Sequence, residues 1–374
     1  MPPPSTTRRE LLLAAAAAAL APGCRSMRVD LPPVQTVAGA IPSDWQTATP
    51  QSQGIDAAAL ADVLDAGARL PAMRSLLVVR NGMLVGERYY GGATVDALLR
   101  INSVTKSVCS MLVGQALQKG QLPGLSATVG SLLPEAAARV PGSAVTGVTL
   151  QQILSGRTGL DYDWSAEDGS FTSAADPVRF ALNLSANKIA PAAWSYNNAA
   201  VGLLSPILQR AHGLDMAAVA SRDLFAPLGI ERFAWWRDRA GHPTSWGGLV
   251  LRTRDLMKLT WTMADGGKWR GAQVLPAAWV AESIRPRGAA AWRVSPVTDI
   301  GYGYLWFTGL LHGRRVAWGW GYGAQFALLV PELQLAIATA ALAPRSVDAL
   351  PAQNNAVMAL VAQVVRATGS GSTG

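Results

Sequence analysis

Two cysteines and three histidines in 374 residues leave several chemistries without their usual parts. Cys24 and Cys109 cannot build a disulfide framework, and an unpaired thiol within an apolar run is expected to be a small core residue. His212, His242 and His312 are isolated, and no Gly-x-Ser-x-Gly elbow occurs, so a Ser-His-Asp triad has no support. No pair of metal-type ligands sits at zinc spacing and no phosphate-loop fingerprint occurs, so neither metal nor cofactor is expected. Charge clustering is also missing. The formal charge is +8, but the arginines are scattered and no run of five like charges appears. Nucleic acid would demand a basic stripe, and none is expected as a partner. Beyond the amino terminus no stretch reaches the ~18 apolar residues of a membrane helix.

What is present begins with a targeting segment. Thr7-Arg8-Arg9-Glu10-Leu11-Leu12 resembles a twin-arginine export signal, and the apolar stretch from Leu11 to Leu20 is too short to span a bilayer. Residues 1–28 are therefore assigned to export, which predicts a periplasmic location. Leu20-Ala21-Pro22-Gly23-Cys24 looks like a degraded lipoprotein cleavage box, with alanine where leucine is usual. A lipid anchor at Cys24, the sole membrane contact considered, stays open.

Half of the residues are hydrophobic, ample for a substantial core. Residues 29–53, rich in Pro, Thr, Ser and Gln, read as a linker and irregular arm. A first helix is expected over Ile55 to Leu70. Ser75 to Arg80, then Asn81-Gly82, then Met83 to Tyr90, read as a β-hairpin. From about 125 to 235 helical spacing recurs between Gly- and Pro-bearing turns: Leu150 to Leu154, Pro177 to Asn183, Ala199 to His212 and Met216 to Leu224. Helices follow at Arg254 to Met263 and Pro276 to Ser283. Strands are expected at Tyr302 to Thr308, Arg315 to Trp320, Gln325 to Val330 and Leu335 to Ala341. A last helix is expected over Ala352 to Arg366, followed by a flexible tail at 367–374. Strand signals at both ends imply an α/β (α+β) fold: an antiparallel sheet built from both termini, flanked by helices, with an all-helical insertion. The site is expected in the cleft between the two parts.

Ser103-Val104-Thr105-Lys106 opens the most apolar helix-like run, Val104 to Lys119, with Gly120 as its stop. Serine and lysine three apart share a helix face, close enough for the amine to take the hydroxyl proton. The chain has only five lysines against twenty-seven arginines, which makes a lysine here the rarer coincidence. Burial would strip water from Lys106 and lower its pKa. The competing explanation is that Ser103 only caps the helix. Ser185-Ala186-Asn187-Lys188 has the same spacing, but Pro191 follows at once and the match is read as chance.

Two further pieces follow in order. Trp194-Ser195-Tyr196-Asn197-Asn198 offers a phenol that a neighbouring ammonium would make easier to deprotonate. Asn198 could donate to a substrate carbonyl or hold the lysine; otherwise the segment is a turn capping the next helix. Ala317 to Gln325 carries alternating glycines. These would let a strand approach a substrate closely and present an oxyanion N–H; otherwise they make a Gly-rich turn.

Taken together, these pieces resemble the penicillin-recognising serine hydrolases. The nearest likeness is to the class C β-lactamase-like branch that holds 6-aminohexanoate-dimer hydrolases and related esterases. The likeness runs from about Gly54 to Ala341. It takes in Ile101 to Ser107, Thr149 to Gly156, Pro227-Leu228-Gly229, Thr253 to Leu256 and Gly321 to Pro331, and one hydrolase domain is assigned to 54–366. The resemblance implies Ser103 as acylated nucleophile, Lys106 as its base and Tyr196 as proton shuttle. It implies a cofactor-free attack on a small ester or amide. The family's Lys-Thr-Gly matches Gly319-Trp320-Gly321, with Tyr322 giving the second oxyanion N–H. Glycine in place of that lysine removes a cation that holds substrate carboxylates, a loss of ~2–5 kcal/mol in recognition. Uncharged substrates gain ground accordingly. A true β-lactamase, a D-alanyl peptidase and a non-catalytic binding or sensor protein are the alternatives. Ten of thirteen tryptophans lie from Trp235 onward, where some could line an apolar pocket.

Overall fold

The aliphatic run from Leu76 to Val79 is buried on both faces, the signature of a strand inside a sheet rather than on its edge. In the computed structural model, which describes residues 31–186 and 193–369, it lies in β1 (Met73–Arg80), paired antiparallel with β2 (Met83–Tyr89). Asn81 and Gly82 between them take φ values of 51° and 78°, the left-handed pair that a two-residue hairpin turn needs. The Arg8-Arg9 signal, Cys24, Asn187-Lys188 and Pro191 lie outside the described residues, as do 370–374.

The rest of the sheet comes from the far end of the chain: β3 (Thr298–Tyr302), β4 (Phe307–Leu311), β5 (Arg314–Gly321), β6 (Gln325–Val330) and β7 (Leu335–Ala341). The order is β2-β1-β7-β6-β5-β4-β3, antiparallel throughout. The sheet is thus assembled from both ends, as the strand signals imply. One predicted strand differs. Tyr302 to Thr308 is two strand ends around a turn closed by Gly303 N–H donating to the Trp306 carbonyl. The run of aromatics mimics strand composition, but a Cβ on Gly303 would lie 2.1 Å from the Ser283 carbonyl oxygen.

Seven helices matter for the site: α1 (Ala57–Gly67), α2 (Val104–Gln118), α3 (Trp164–Ser173), α4 (Asn198–Gly202), α5 (Thr253–Ala264), α6 (Ala277–Ser283) and α7 (Leu350–Ala367). Cross-strand partners share a face, and the ladder Gly86–Val78–Ile337–Leu328–Trp318 links one face across the sheet. A Cβ on Gly86 would touch Leu60 of α1, whereas one on Gly319 would touch Val104 and Ser107 of α2. Because Gly319 adjoins Trp318 on β5, α1 and α2 cover opposite faces. The terminal helix α7 packs with α1, and α5 packs on β6 and β7. Ser75 on β1 bonds Thr253 of α5 at 2.7 Å.

The stretch expected as one helix, Ala199 to His212, breaks at Leu203 into α4 and Leu204–His212. The helix α3 carries little amphipathic period, and nothing in the composition of Trp164 to Ser173 announces it. The insertion is built of short helices, with an isolated bridge between Leu160 and Ala186 and a strand, Arg232–Trp235, at its end. That strand pairs with Val34–Thr36 of the arm and with Leu249–Leu251, which pairs in turn with Leu99–Arg100. Residues 34–36 are therefore ordered by pairing, not irregular. The same holds for the start of the tail: Thr368 bridges Ile55, and Arg80 donates to the Gly369 carbonyl at 2.9 Å.

Candidate active site

The strand Leu99–Arg100 delivers the chain to the front of α2, where Ile101 N–H donates to the Leu249 carbonyl at 3.1 Å. Asn102 then takes φ of 48°, a left-handed conformation that asparagine tolerates better than most residues. Its amide donates to the Tyr322 carbonyl at 2.6 Å, tying the nucleophile's turn to the end of β5. Ser103 occupies the N-cap position of α2, yet its side chain makes no capping bond. Its hydroxyl is engaged instead by Lys106 Nζ at 3.1 Å and by the Tyr196 phenol. The hydroxyl is aimed across the site and not at the helix N–H groups.

The helix behind it is buried nearly all round, and several of its polar side chains donate to carbonyls of other segments. Ser107 donates to the Leu305 carbonyl at 2.8 Å, and Gln115 to the Asp223 and Val274 carbonyls at 2.9 Å each. Lys106 is 3% exposed. Its second acceptor is the Trp246 carbonyl at 2.5 Å, and its ammonium nitrogen lies 4.7 Å from the centre of the Tyr196 ring. Burial pulls its pKa down to about 7, with the Asp168 carboxylate pulling the other way. An amine in this position is half neutral near neutrality, which is what a base for a serine hydroxyl requires. Cys109, one turn further along, is a buried thiol that burial pushes up to about 12, in keeping with a core role.

Tyr196 corrects one expectation. The sequence suggests that a neighbouring ammonium loosens its proton, but burial raises the phenol well above its ordinary value, opposed only by the bond to Ser103. The low dielectric that neutralises Lys106 also disfavours the phenolate, so the group is a proton donor at rest. Asn197 caps α4 through its bond from the Ala200 N–H at 2.8 Å. Asn198 does not face Lys106 through any hydrogen bond; its amide donates to Asp168 Oδ1 at 2.5 Å.

Gly319 and Gly321 have a packing role that the sequence did not announce. A Cβ at Gly319 would lie 2.9 Å from Ser107 Oγ and Val104 Cγ1, and one at Gly321 would lie 2.4 Å from the Ile101 carbonyl oxygen. They let β5 approach the nucleophile's own segment. Gly321 is the last residue of β5, and Tyr322 follows it into the mouth of the site.

That mouth is a cavity of about 240 Å³, walled by Ser103, Tyr196, Trp164, Trp292, Trp320 and Tyr322. Trp292 stacks on Tyr196 with ring centres 4.2 Å apart, and Trp164 meets Tyr196 edge-on at 6.1 Å. Arg293 also lines it, its guanidinium donating to the Ala290 and Trp292 carbonyls at 2.7 and 3.0 Å. Most tryptophans are core instead, Trp235, Trp306 and Trp318 being fully buried. The reading of the sequence missed Asn102, Trp246, Asp168 and the walls from Trp164 and Trp292. Only Asn102, an asparagine immediately before the nucleophile, left a signal. Among the described residues no cluster of three or more metal-type ligands occurs, and no helix is long and apolar enough to cross a membrane.

The sheet built from both termini, the interposed helices and the Ser–Lys–Tyr arrangement at their junction describe the penicillin-recognising fold. The chain belongs to the β-lactamase family, whose sequence pattern matches residues 57–362. It is 28% identical over 248 residues to a 6-aminohexanoate-dimer hydrolase of Paenarthrobacter ureafaciens, covering 61% of this chain and 60% of that protein. It is also 28% identical over 210 residues to the esterase EstB of Burkholderia gladioli, covering 48% and 53%. The chain thus spans less than two thirds of either relative. Among solved structures, a provisional 6-aminohexanoate-dimer hydrolase of Bacillus anthracis superposes with a TM-score of 0.71 at 16% identity, over 90% of both chains. This last likeness is one of fold.

Proposed function

We propose that the protein is a serine hydrolase that cleaves small esters or amides through an acyl-enzyme. The observation that carries this is the Ser103 hydroxyl bonded to Lys106 and Tyr196 in place of the helix end it could have capped. Neutral Lys106 takes the Ser103 proton as Oγ attacks the substrate carbonyl carbon. The negative charge on the carbonyl oxygen is met by the N–H groups of Ser103 and Tyr322. Tyr196, protonated at rest, gives its proton to the leaving oxygen or nitrogen and recovers one from Lys106. Water then attacks the acyl-enzyme carbonyl by the same route in reverse, releasing the acid. The aromatic walls favour an apolar acyl or alcohol group. The names of the two sequence relatives, a dimer hydrolase and an esterase, support this reaction class.

A panel of p-nitrophenyl butyrate, nitrocefin and a D-alanyl dipeptide tests the reading. Ester turnover is expected to exceed nitrocefin turnover by about a hundredfold, the size of a lost carboxylate partner, and to vanish in Ser103→Ala. Turnover that survives Ser103→Ala would mean that another residue is the nucleophile, whereas no turnover and no labelling of Ser103 by a fluorophosphonate would leave a non-catalytic binding protein. A carboxylate-bearing substrate, such as a β-lactam, is the second reading, and Arg293 in the cavity wall favours it. Rapid nitrocefin hydrolysis that collapses in Arg293→Gln would decide for it. We also propose export through Arg8-Arg9, which fractionation of a tagged chain tests: Arg8→Lys with Arg9→Lys should retain the protein inside the cell.

A further inference from the structure

The helix α3 places a carboxylate beside the hydrolytic groups that the reaction scheme above leaves unused. Asp168 Oδ1 accepts from the Asn198 amide at 2.5 Å and from the Tyr162 hydroxyl at 3.0 Å. Two donors on separate segments therefore fix its position. One turn earlier on the same helix, Trp164 forms a wall of the cavity that holds Ser103. Phe171, fully buried, pins the helix through ring contacts with Tyr162, Phe180 and Trp246. Trp246 is also the residue whose carbonyl receives Lys106. The position of Asp168 relative to the lysine is thus set by packing on both sides.

We propose that Asp168 is a positioning residue of this site, whose fixed negative charge holds Asn198 in place and sets the pH range in which the Ser103–Lys106 pair is reactive. The proposal rests on the serine-hydrolase reading and deepens it by naming how the base is tuned.

The charged and titratable groups around the lysine are few. From its own helix it meets Ser103 and the neutral thiol of Cys109; from the turn before α4 it meets the Tyr196 ring. Tyr302 on β3 feels the charge of Tyr196, and Arg293 lies in the outer wall. Glu167, next to Asp168 on α3, turns away to accept from the Asp163 N–H at 2.7 Å and acts on Tyr162. Among the described residues, Asp168 is the one carboxylate whose charge acts on both Lys106 and Tyr196. The consequence follows from sign. A negative charge favours the ammonium, so burial and Asp168 oppose one another in Lys106, and removing the charge lets burial act alone. The lysine of a neutral variant should lose its proton at lower pH.

The test reads the serine directly and needs no knowledge of the natural substrate. The rate of Ser103 phosphonylation by a fluorophosphonate, followed by intact mass, is measured from pH 5 to 9. Asp168→Asn keeps an acceptor for Asn198 and Tyr162 while losing the charge; Asp168→Ser is a second neutral variant, and Asp168→Glu keeps the charge. Circular dichroism selects the folded variants. The acid limb is expected to move down by roughly half a unit to one unit in a neutral variant, and to stay near the wild-type position in Asp168→Glu. A lower rate with an unmoved limb in a folded neutral variant would mean that Asp168 is merely structural, and the proposal would be wrong. Labelling that persists in Ser103→Ala would instead overturn the hydrolase reading beneath it.

Discussion

Ser103 and Lys106 show how the same two residues can be read as a helix end or as a reactive pair. The distinction has a thermodynamic consequence. Losing a serine that caps a helix costs about 1 kcal/mol, but the Ser103 side chain makes no capping bond. Ser103→Ala should therefore remove activity while changing stability by less than about half that amount, as denaturant unfolding at matched pH would report. Lys106 carries the opposite balance. Its pKa falls from the ordinary lysine value of 10.5 to about 7 in the fold, so between these values the unfolded chain holds a proton that the folded chain has released. Stability conferred by this residue therefore rises with pH across that window, and its penalty is complete below pH 7. Lys106→Met should raise the melting temperature relative to wild type near pH 6, and the gain should shrink steadily toward pH 10. A gain independent of pH would mean that the lysine is not buried as an uncharged amine.

Elements decide how closely the reactive groups meet. The strand β5 runs against α2 because glycines stand where side chains would collide, and Gly321 has the least room of the two described above. Its missing Cβ would face a backbone oxygen 2.4 Å away, which cannot rotate aside. Gly321→Ala should cost about 1–3 kcal/mol as an overpacking substitution, and should slow acylation more than substrate binding, because the strain falls on the segment Ile101-Asn102-Ser103. Thermal unfolding combined with separate kcat and KM values would check both parts; an unaltered kcat would show that β5 does not position the nucleophile. The helix α3 makes the complementary point. It supplies a cavity wall and the Asp168 carboxylate, yet its sequence has neither a strong apolar period nor an obvious motif. It is held by Phe171 and by Asp163 capping its first turn, contacts that a linear reading cannot rank.

For the whole molecule, one arginine joins the arm, the hairpin and α5. Arg254 at the start of α5 pairs with Glu87 of the hairpin at 2.6 Å and with Asp44 of the arm at 2.7 Å. The Glu87 side chain is 19% exposed and the Asp44 side chain 74%, so the two bridges should differ in worth. Asp44→Asn should cost less than about 1 kcal/mol, as solvent-screened pairs do. Arg254→Met leaves Glu87 partly buried without its cation, held only by the Tyr89 hydroxyl, and should cost about 2 kcal/mol. Chemical denaturation of the single variants and the Arg254–Glu87 double variant would measure the coupling, and equal costs for Asp44 and Glu87 would refute the ranking.

What the chain alone determined is the local grammar. The Asn81-Gly82 turn, the apolar run after Ser103 and the order of the Ser103, Tyr196 and Gly319–Tyr322 segments are set by short-range conformational preference and spacing. These were enough to read an antiparallel sheet from both ends and the family it resembles. Tertiary structure alone decided the burial that raises the Tyr196 pKa, the partner of Asn198, the close packing of the β5 glycines on the nucleophile's segment and the presence of Asp168 at the site. Each of these depends on burial or on distances between segments remote in sequence. A dielectric environment and a steric contact belong to the packed chain, and neither has a linear signature.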